Sequence, residues 1–204
     1  MKDLYGGIEA GGTKFVCMVG RGPGDVTAEV RFPTTMPSET IQSALEFFYP
    51  YARQGRLAAV GIGSFGPVDL NPNSETYGYI TSTPKNGWAY TNLYGAVQRA
   101  LDVPVAFDTD VNAAAFGEQF WGRENRGLDP FLYMTVGTGI GVGVLVNGQP
   151  VHGLRFFDLG HNRGASARDF LGFGDVLGPL NERQGDPINP CFKCRLQIGA
   201  VLIG

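Results

Sequence analysis

Residues 4–32 alternate short apolar runs with glycine-centred turns, and that rhythm predicts the strands Leu4–Glu9, Phe15–Val19 and Val26–Phe32. The rhythm then changes. Ile41, Ala44, Leu45 and Phe48 recur at i, i+3, i+4 and i+7, which puts them on one face of a helix. Ser38 is placed to cap that helix, and Glu39 falls in its first turn, where a carboxylate complements the helix dipole. Pro50 limits the helix, with an end a few residues further on. Leu57–Ile62 reads as a buried strand, closed by Gly63-Ser64-Phe65-Gly66-Pro67. Asp69 to Tyr90 is polar and rich in turn residues, and carries Tyr77, Tyr79, Trp88 and Tyr90. Leu93, Ala96, Val97, Ala100 and Leu101 form a second helical stripe, Val103–Phe107 a short strand, and Val111–Trp121 an alanine-rich helix.

Strands that begin as a meander and then alternate with helices predict an α/β protein with a mixed sheet. A second strand-rich unit opens at Phe131. Phe131–Val136 and Val142–Val146 flank Gly137-Thr138-Gly139-Ile140-Gly141, which repeats the opening order of strand, glycine turn with a threonine, and strand. The repeat suggests an internal duplication with a domain change near residues 118–130, giving domains over 1–118 and 119–204.

Composition adds one strong feature. Glycine accounts for 31 of 204 residues, about twice the usual share. Much of it lies in apolar-flanked turns, which points to backbone approaching a ligand. The 43% apolar and 17% charged content describe a folded chain and not a disordered one. A net charge of -3 and a pI near 5.4 provide no general attraction to nucleic acid or anionic lipid. No apolar stretch is long enough to span a bilayer, and no signal peptide precedes the first strand, so a cytoplasmic protein is expected. Cys17, Cys191 and Cys194 are too few, and odd in number, for a disulfide framework. Cys17, inside a strand, is expected in the core.

Candidate chemistry gathers at the turns. In Ile8-Glu9-Ala10-Gly11-Gly12-Thr13-Lys14 the glycines let backbone N–H groups approach an anion, while Thr13 and Lys14 add a hydroxyl and a cation. The stretch reads either as a phosphate cradle or as an ordinary hairpin turn. The second glycine hairpin is not a dinucleotide loop: the G-x-G-x-x-G spacing fails at Val142, and alternating Val142, Val144 and Val146 follow in place of a helix. With Thr138, it reads either as a hold on a nucleotide's phosphates from the opposite side or as a second plain hairpin. Asp108-Thr109-Asp110-Val111-Asn112 stands between a strand end and a helix start. An aspartate there either caps the helix or faces the crevice where α/β sheets bind ligands. Phosphoryl transfer to an alcohol needs one carboxylate to accept the hydroxyl proton, and Asp110 is the candidate, its ionised form favoured by the helix dipole. His161 and the Cys191-x-x-Cys194 pair offer zinc-type ligands, three where a structural site takes four. His152 reads as part of a surface turn.

Taken in order, these stretches resemble the ROK sugar-kinase family, and most closely its bacterial fructokinase branch. Ile8 to Lys14 is similar to the family's first phosphate motif. Gly63-Ser64-Phe65-Gly66-Pro67-Val68-Asp69 and Gly78-Tyr79-Ile80-Thr81-Ser82-Thr83-Pro84-Lys85 resemble its sugar-side loops. Asp108 to Ala115 looks like its catalytic segment, and Val136 to Gly141 like its second phosphate motif.

The resemblance implies an actin/hexokinase-type (ribonuclease H-like) fold with two α/β domains and a cleft between them. It implies ATP-dependent phosphorylation of D-fructose to fructose 6-phosphate, with Mg²⁺ helping to neutralise the phosphates. Asp110 would be the general base, and Glu9 would sit near Mg²⁺ or its waters. Gly11, Gly12, Thr13, Lys14, Gly137, Thr138 and Gly139 would hold phosphate. Gly66, Pro67, Thr109, Asp110 and Asp158 would meet the sugar. Asp158-Leu159-Gly160-His161 falls where the family has Glu-x-Gly-His, so the acid is one methylene shorter. His161 would bind Zn²⁺, but the family's other zinc ligands follow that histidine closely, whereas Cys191 and Cys194 come late. Beyond His161 the chain departs from the family, and the second domain reads as incomplete, by truncation or an atypical tail. Hexose and ATP are the expected partners, without nucleic acid or membrane, and a homodimer stays open. The alternatives are a kinase for glucose or mannose and a non-catalytic sugar- or phosphate-binding remnant. A repressor of the family is disfavoured because the first motif begins at residue 8.

Overall fold

In the computed structural model, which describes residues 3–122, 127–136 and 140–152, the predicted meander forms. Its strands are β1 (Leu4–Ala10), β2 (Lys14–Gly22) and β3 (Asp25–Pro33), paired antiparallel in sequence. The period-two pattern sets the faces: Leu4, Gly6, Ile8 and Ala10 are buried, while Tyr5 and Glu9 point out. Cys17 is fully buried, as its place in a strand predicted, and burial pushes its thiol up to about 12.

Helix α1 (Pro37–Arg53) buries Ala44, Leu45 and Phe48 of the predicted stripe and half-buries Ile41 against the same core. It packs tightly on β1, where a Cβ on Gly6 would stand 2.8 Å from the Phe48 ring. The Ser38 cap does not form. Met36 occupies the cap position without a side-chain bond, and Pro37 opens the first turn, where a missing N–H leaves nothing unsatisfied. The buried Thr40 hydroxyl instead accepts the Thr35 N–H at 2.9 Å. Pro50 lies inside the helix, whose end is set by Gly55 at φ 65°. There Gly55 N–H donates to Ala52 O and Arg56 N–H to Tyr51 O, the Schellman pattern that satisfies the last carbonyls.

The chain continues through β4 (Leu57–Ser64), the short pair β5 (Tyr79–Ile80) and β6 (Thr91–Asn92), and α2 (Leu93–Leu101). β7 (Val105–Thr109) starts two residues later than predicted, since Pro104 has no N–H for the ladder, and it runs on to Thr109. The main sheet is mixed, in the order β3-β2-β1-β4-β7, with β1, β4 and β7 parallel. The polar stretch before α2 is more than a loop. Trp88 is wholly buried, its ring 5.5 Å from Phe15 and 5.4 Å from Phe65, and its Nε1 donates to Thr35 O at 2.8 Å.

Helix α3 (Asp110–Trp121) leads into a second, antiparallel sheet of β8 (Phe131–Val136), β9 (Ile140–Val146) and β10 (Gln149–Pro150). β9 approaches α3 through glycine: a Cβ on Gly141 would stand 2.7 Å from Val111 Cγ1. Ala115, Phe131 and Leu145 form the small core there. No helix among the described residues is long and apolar enough to cross a membrane.

Candidate functional site

The parallel register aligns the C-terminal ends of three strands. Glu9, Gly63 and Asp108 form one row, and Ala10, Ser64 and Thr109 the next. Side chains in one row share a face, so Glu9 and Asp108 stand on the side opposite α1, with Gly63 between them. Helix α3 uses that gap: a Cβ on Gly63 would lie 2.7 Å from Ala113 Cβ and 3.3 Å from Asp110 Cα.

The β1–β2 turn opens at the same edge. Gly11 N–H donates to Lys14 O at 3.0 Å, and a Cβ on Gly11 would come within 2.7 Å of that carbonyl. Thr34 ties the carbonyl side back, its hydroxyl donating to Gly11 O at 2.7 Å and its N–H to Thr13 O at 2.9 Å. Gly12 has open space where a Cβ would sit. The turn is thus pinned from behind and unobstructed in front, which suits an anion received by backbone N–H groups. Lys85 Nζ donates to Thr34 O at 3.1 Å, so the strap behind the turn is itself held.

The loop after β4 lies alongside. Phe65 N–H donates to Ala10 O at 2.7 Å, and the Gly66–Pro67 peptide is cis. Pro67 O accepts the N–H and hydroxyl of Thr81 at 2.7 and 3.0 Å, which joins the two predicted sugar-side loops.

At the end of β7, Thr109 caps α3 by accepting the Asn112 N–H at 3.2 Å. Asp110 follows in the first turn, half-buried, and its Oδ1 accepts the Val111 N–H at 2.9 Å. Asp110 therefore sits where a helix N-terminus meets the C-terminal edge of a sheet.

The predicted residues Glu9, Gly11 to Lys14, Gly66, Pro67, Thr109 and Asp110 come together at this edge. Gly137, Thr138, Gly139, Asp158, His161, Cys191 and Cys194 lie outside the described residues. The strands flanking the second hairpin do pair, Val136 opposite Ile140. Among the described residues there is no group of three or more His, Cys, Asp and Glu suited to a metal ion.

Three residues make contacts here that no sequence pattern marks. Tyr133 on β8 has its phenol pushed up by burial and then by the carboxylates of Glu118, Glu9 and Asp110, so these anions share one neighbourhood. Asp108 Oδ1 accepts the Thr109 N–H and the Asn112 side-chain amide, both at 2.7 Å. Asp108 Oδ2 meets His152 Nε2 at 2.9 Å. His152 is exposed, as a surface turn predicts, yet it is tied to the sheet edge. A lone histidine 44 positions away carries no sequence signal for that contact.

Comparison with known proteins places the chain among sugar kinases by sequence and fold. The chain is 46% identical to a fructokinase of Lactococcus lactis subsp. cremoris over 176 residues, covering 86% of this chain and 58% of the relative. It is 47% identical to a fructokinase of Streptococcus mutans over 161 residues, covering 79% and 53%. The chain thus spans little more than half the length of these relatives. A solved ROK family glucokinase from Streptomyces griseus, in complex with glucose and AMPPNP, aligns with a TM-score of 0.62 and 26% identity, over 78% of this chain and 49% of that one. The α/β fold is accordingly of the actin/hexokinase type. Since the ROK family profile also matches residues 5–174, most of the chain, this protein belongs to the ROK family.

Proposed function

We propose that the chain carries the catalytic edge of an ATP-dependent hexose kinase that converts D-fructose to fructose 6-phosphate. The observation that carries this reading is convergence: the glycine turn and Asp110 open onto the same end of parallel β1, β4 and β7. Phosphoryl transfer asks little covalent chemistry of a protein, so positioning and charge dominate.

Asp110 accepts the C6 hydroxyl proton as the oxygen attacks. Its place in the first turn of α3 suits this, because the positive end of the helix dipole stabilises a carboxylate. Gly11, Gly12, Thr13 and Lys14 hold phosphate from one side, through backbone N–H groups, a hydroxyl and a cation. Gly137, Thr138 and Gly139 complete the grip. The exposed Glu9 carboxylate would hold Mg²⁺ or its waters, as a hard oxygen acceptor suited to that ion. Mg²⁺, when bound, neutralises charge on the transferring phosphoryl group. Gly66, Pro67, Thr109 and Asp158 orient the sugar. Fructose is favoured over glucose by 46–47% identity to fructokinases against 30% to a glucokinase of Streptomyces coelicolor.

The test supplies purified chain with ATP, Mg²⁺ and fructose, glucose or mannose in turn, and follows ADP release. Turnover should be fastest with fructose, and Asp110→Asn should lower kcat by at least about a hundredfold. Sugar binding without turnover of any sugar would overturn the kinase reading in favour of a binding remnant. Equal turnover by Asp110→Asn would remove the base.

A further inference from the structure

Asp108 has no part in the chemistry above, yet its side chain holds three groups at once. Oδ1 accepts the Thr109 N–H and the Asn112 Nδ2 amide, both at 2.7 Å, and Oδ2 meets His152 Nε2 at 2.9 Å. The first two partners bracket Asp110, one just before it and one two residues after it. The third belongs to the segment that follows β10. Thr109 and Asn112 are only 4% and 3% exposed, so groups released there have little water to turn to. A carboxylate accepts on both oxygens, with about four lone-pair sites, and can serve all three partners without competition. Asn112 N–H is already committed to Thr109 Oγ1, so Asp108 and Thr109 lock the helix start together.

We propose that Asp108 is a positioning residue, tying the first turn of α3 to the segment carrying His152 and so setting where the Asp110 carboxylate stands. In its kinetic consequence, the inference rests on the kinase reading of Asp110. A misplacement of about 1 Å can cost roughly a hundredfold in rate, so a looser helix start is felt in kcat before it is felt in sugar binding.

The experiment compares the full chain with Asp108→Ala, His152→Ala, His152→Gln and the Asp108→Ala/His152→Ala pair, using ATP, Mg²⁺ and fructose. Asp108→Ala should lower kcat by roughly ten- to a hundredfold with KM for fructose nearly unchanged. His152→Ala should lower kcat by roughly threefold, the scale of one partly exposed hydrogen bond, and His152→Gln, which keeps an N–H donor, should recover part of it. The double variant should be no slower than Asp108→Ala. Losses that multiply, a change confined to KM, or unchanged kcat in either alanine variant would overturn the proposal. Because His152 is exposed, its variants decide the matter even if Asp108→Ala does not fold. If the unmodified chain turns over no sugar, the kinase reading fails, and amide hydrogen exchange decides this proposal by itself. Asp108→Ala, or His152→Ala in its place, should then speed exchange at Thr109 and Asn112 while β2 amides keep their rates. Unchanged exchange at those two amides would refute it.

Discussion

Replacing Gly63 with alanine puts a methyl where α3 meets the sheet. The new Cβ would stand 2.7 Å from Ala113 Cβ and 3.3 Å from Asp110 Cα, where ordinary contact begins near 3.4 Å. The helix start must therefore retreat by about 0.7 Å. Neither obstacle is a flexible side-chain end; one is a methyl fixed to a helix and the other is backbone. Asp110 moves with them. A displacement approaching ~1 Å costs up to roughly a hundredfold in rate, so kcat should fall about ten- to fiftyfold. Overpacking should also destabilise the chain by about 1–3 kcal/mol. The assay is ADP-coupled turnover at saturating ATP and fructose, beside urea unfolding. Adding Ala113→Gly removes the opposing methyl and should restore most of kcat, although glycine inside a helix keeps about 1 kcal/mol of the stability loss. Full activity in Gly63→Ala, or no recovery in the double variant, would show that the close approach at Gly63 does not set Asp110.

Other outcomes follow from neighbouring contacts. Gly11→Ala should lower stability by about 1–3 kcal/mol in urea, since its Cβ would crowd the Lys14 carbonyl at 2.7 Å. Gly12→Ala, with open space around it, should leave stability within about 0.5 kcal/mol and raise KM for ATP; equal stability losses would contradict the geometry of the turn. Trp88→Phe removes the donor to Thr35 O and should cost about 2 kcal/mol by thermal or urea unfolding, and a loss below about 0.5 kcal/mol would show the bond to be idle. In a Cys191→Ser/Cys194→Ser chain, a thiol reagent at pH 8 should label Cys17 only on unfolding, because burial pushes that thiol to about 12. The sign follows: stability tied to the neutral thiol is complete below the ordinary cysteine pKa of about 8.5 and is lost as pH rises toward 12, so Cys17→Ala should show a shallower alkaline loss.

Much of the fold was legible because it is locally encoded. The strand–turn–strand of β1 and β2 is written in two apolar runs around Gly11 and Gly12, and α1 in the spacing of Ala44, Leu45 and Phe48. Where local signals compete, the local pattern alone does not decide. Ser38 has the chemistry of a cap, but Pro37 already has the fixed φ of a first helical residue and starts the helix earlier. Trp88 was hidden by its polar neighbours, since burial of a single aromatic in a turn-rich stretch depends on Phe15 and Phe65, which are distant in sequence.

Most strands and helices, the glycine turns and the order of motifs that marks the ROK family are written locally, because periodicity and glycine act over a few residues. What those elements bring together is a tertiary matter. Parallel register puts Glu9, Gly63 and Asp108 in one row, and the bare Gly63 lets α3 come close enough to set Asp110 beside them. His152 reaches Asp108 for the same reason: hydrogen bonds across a fold are set by strand register and helix packing, which no short window of sequence contains.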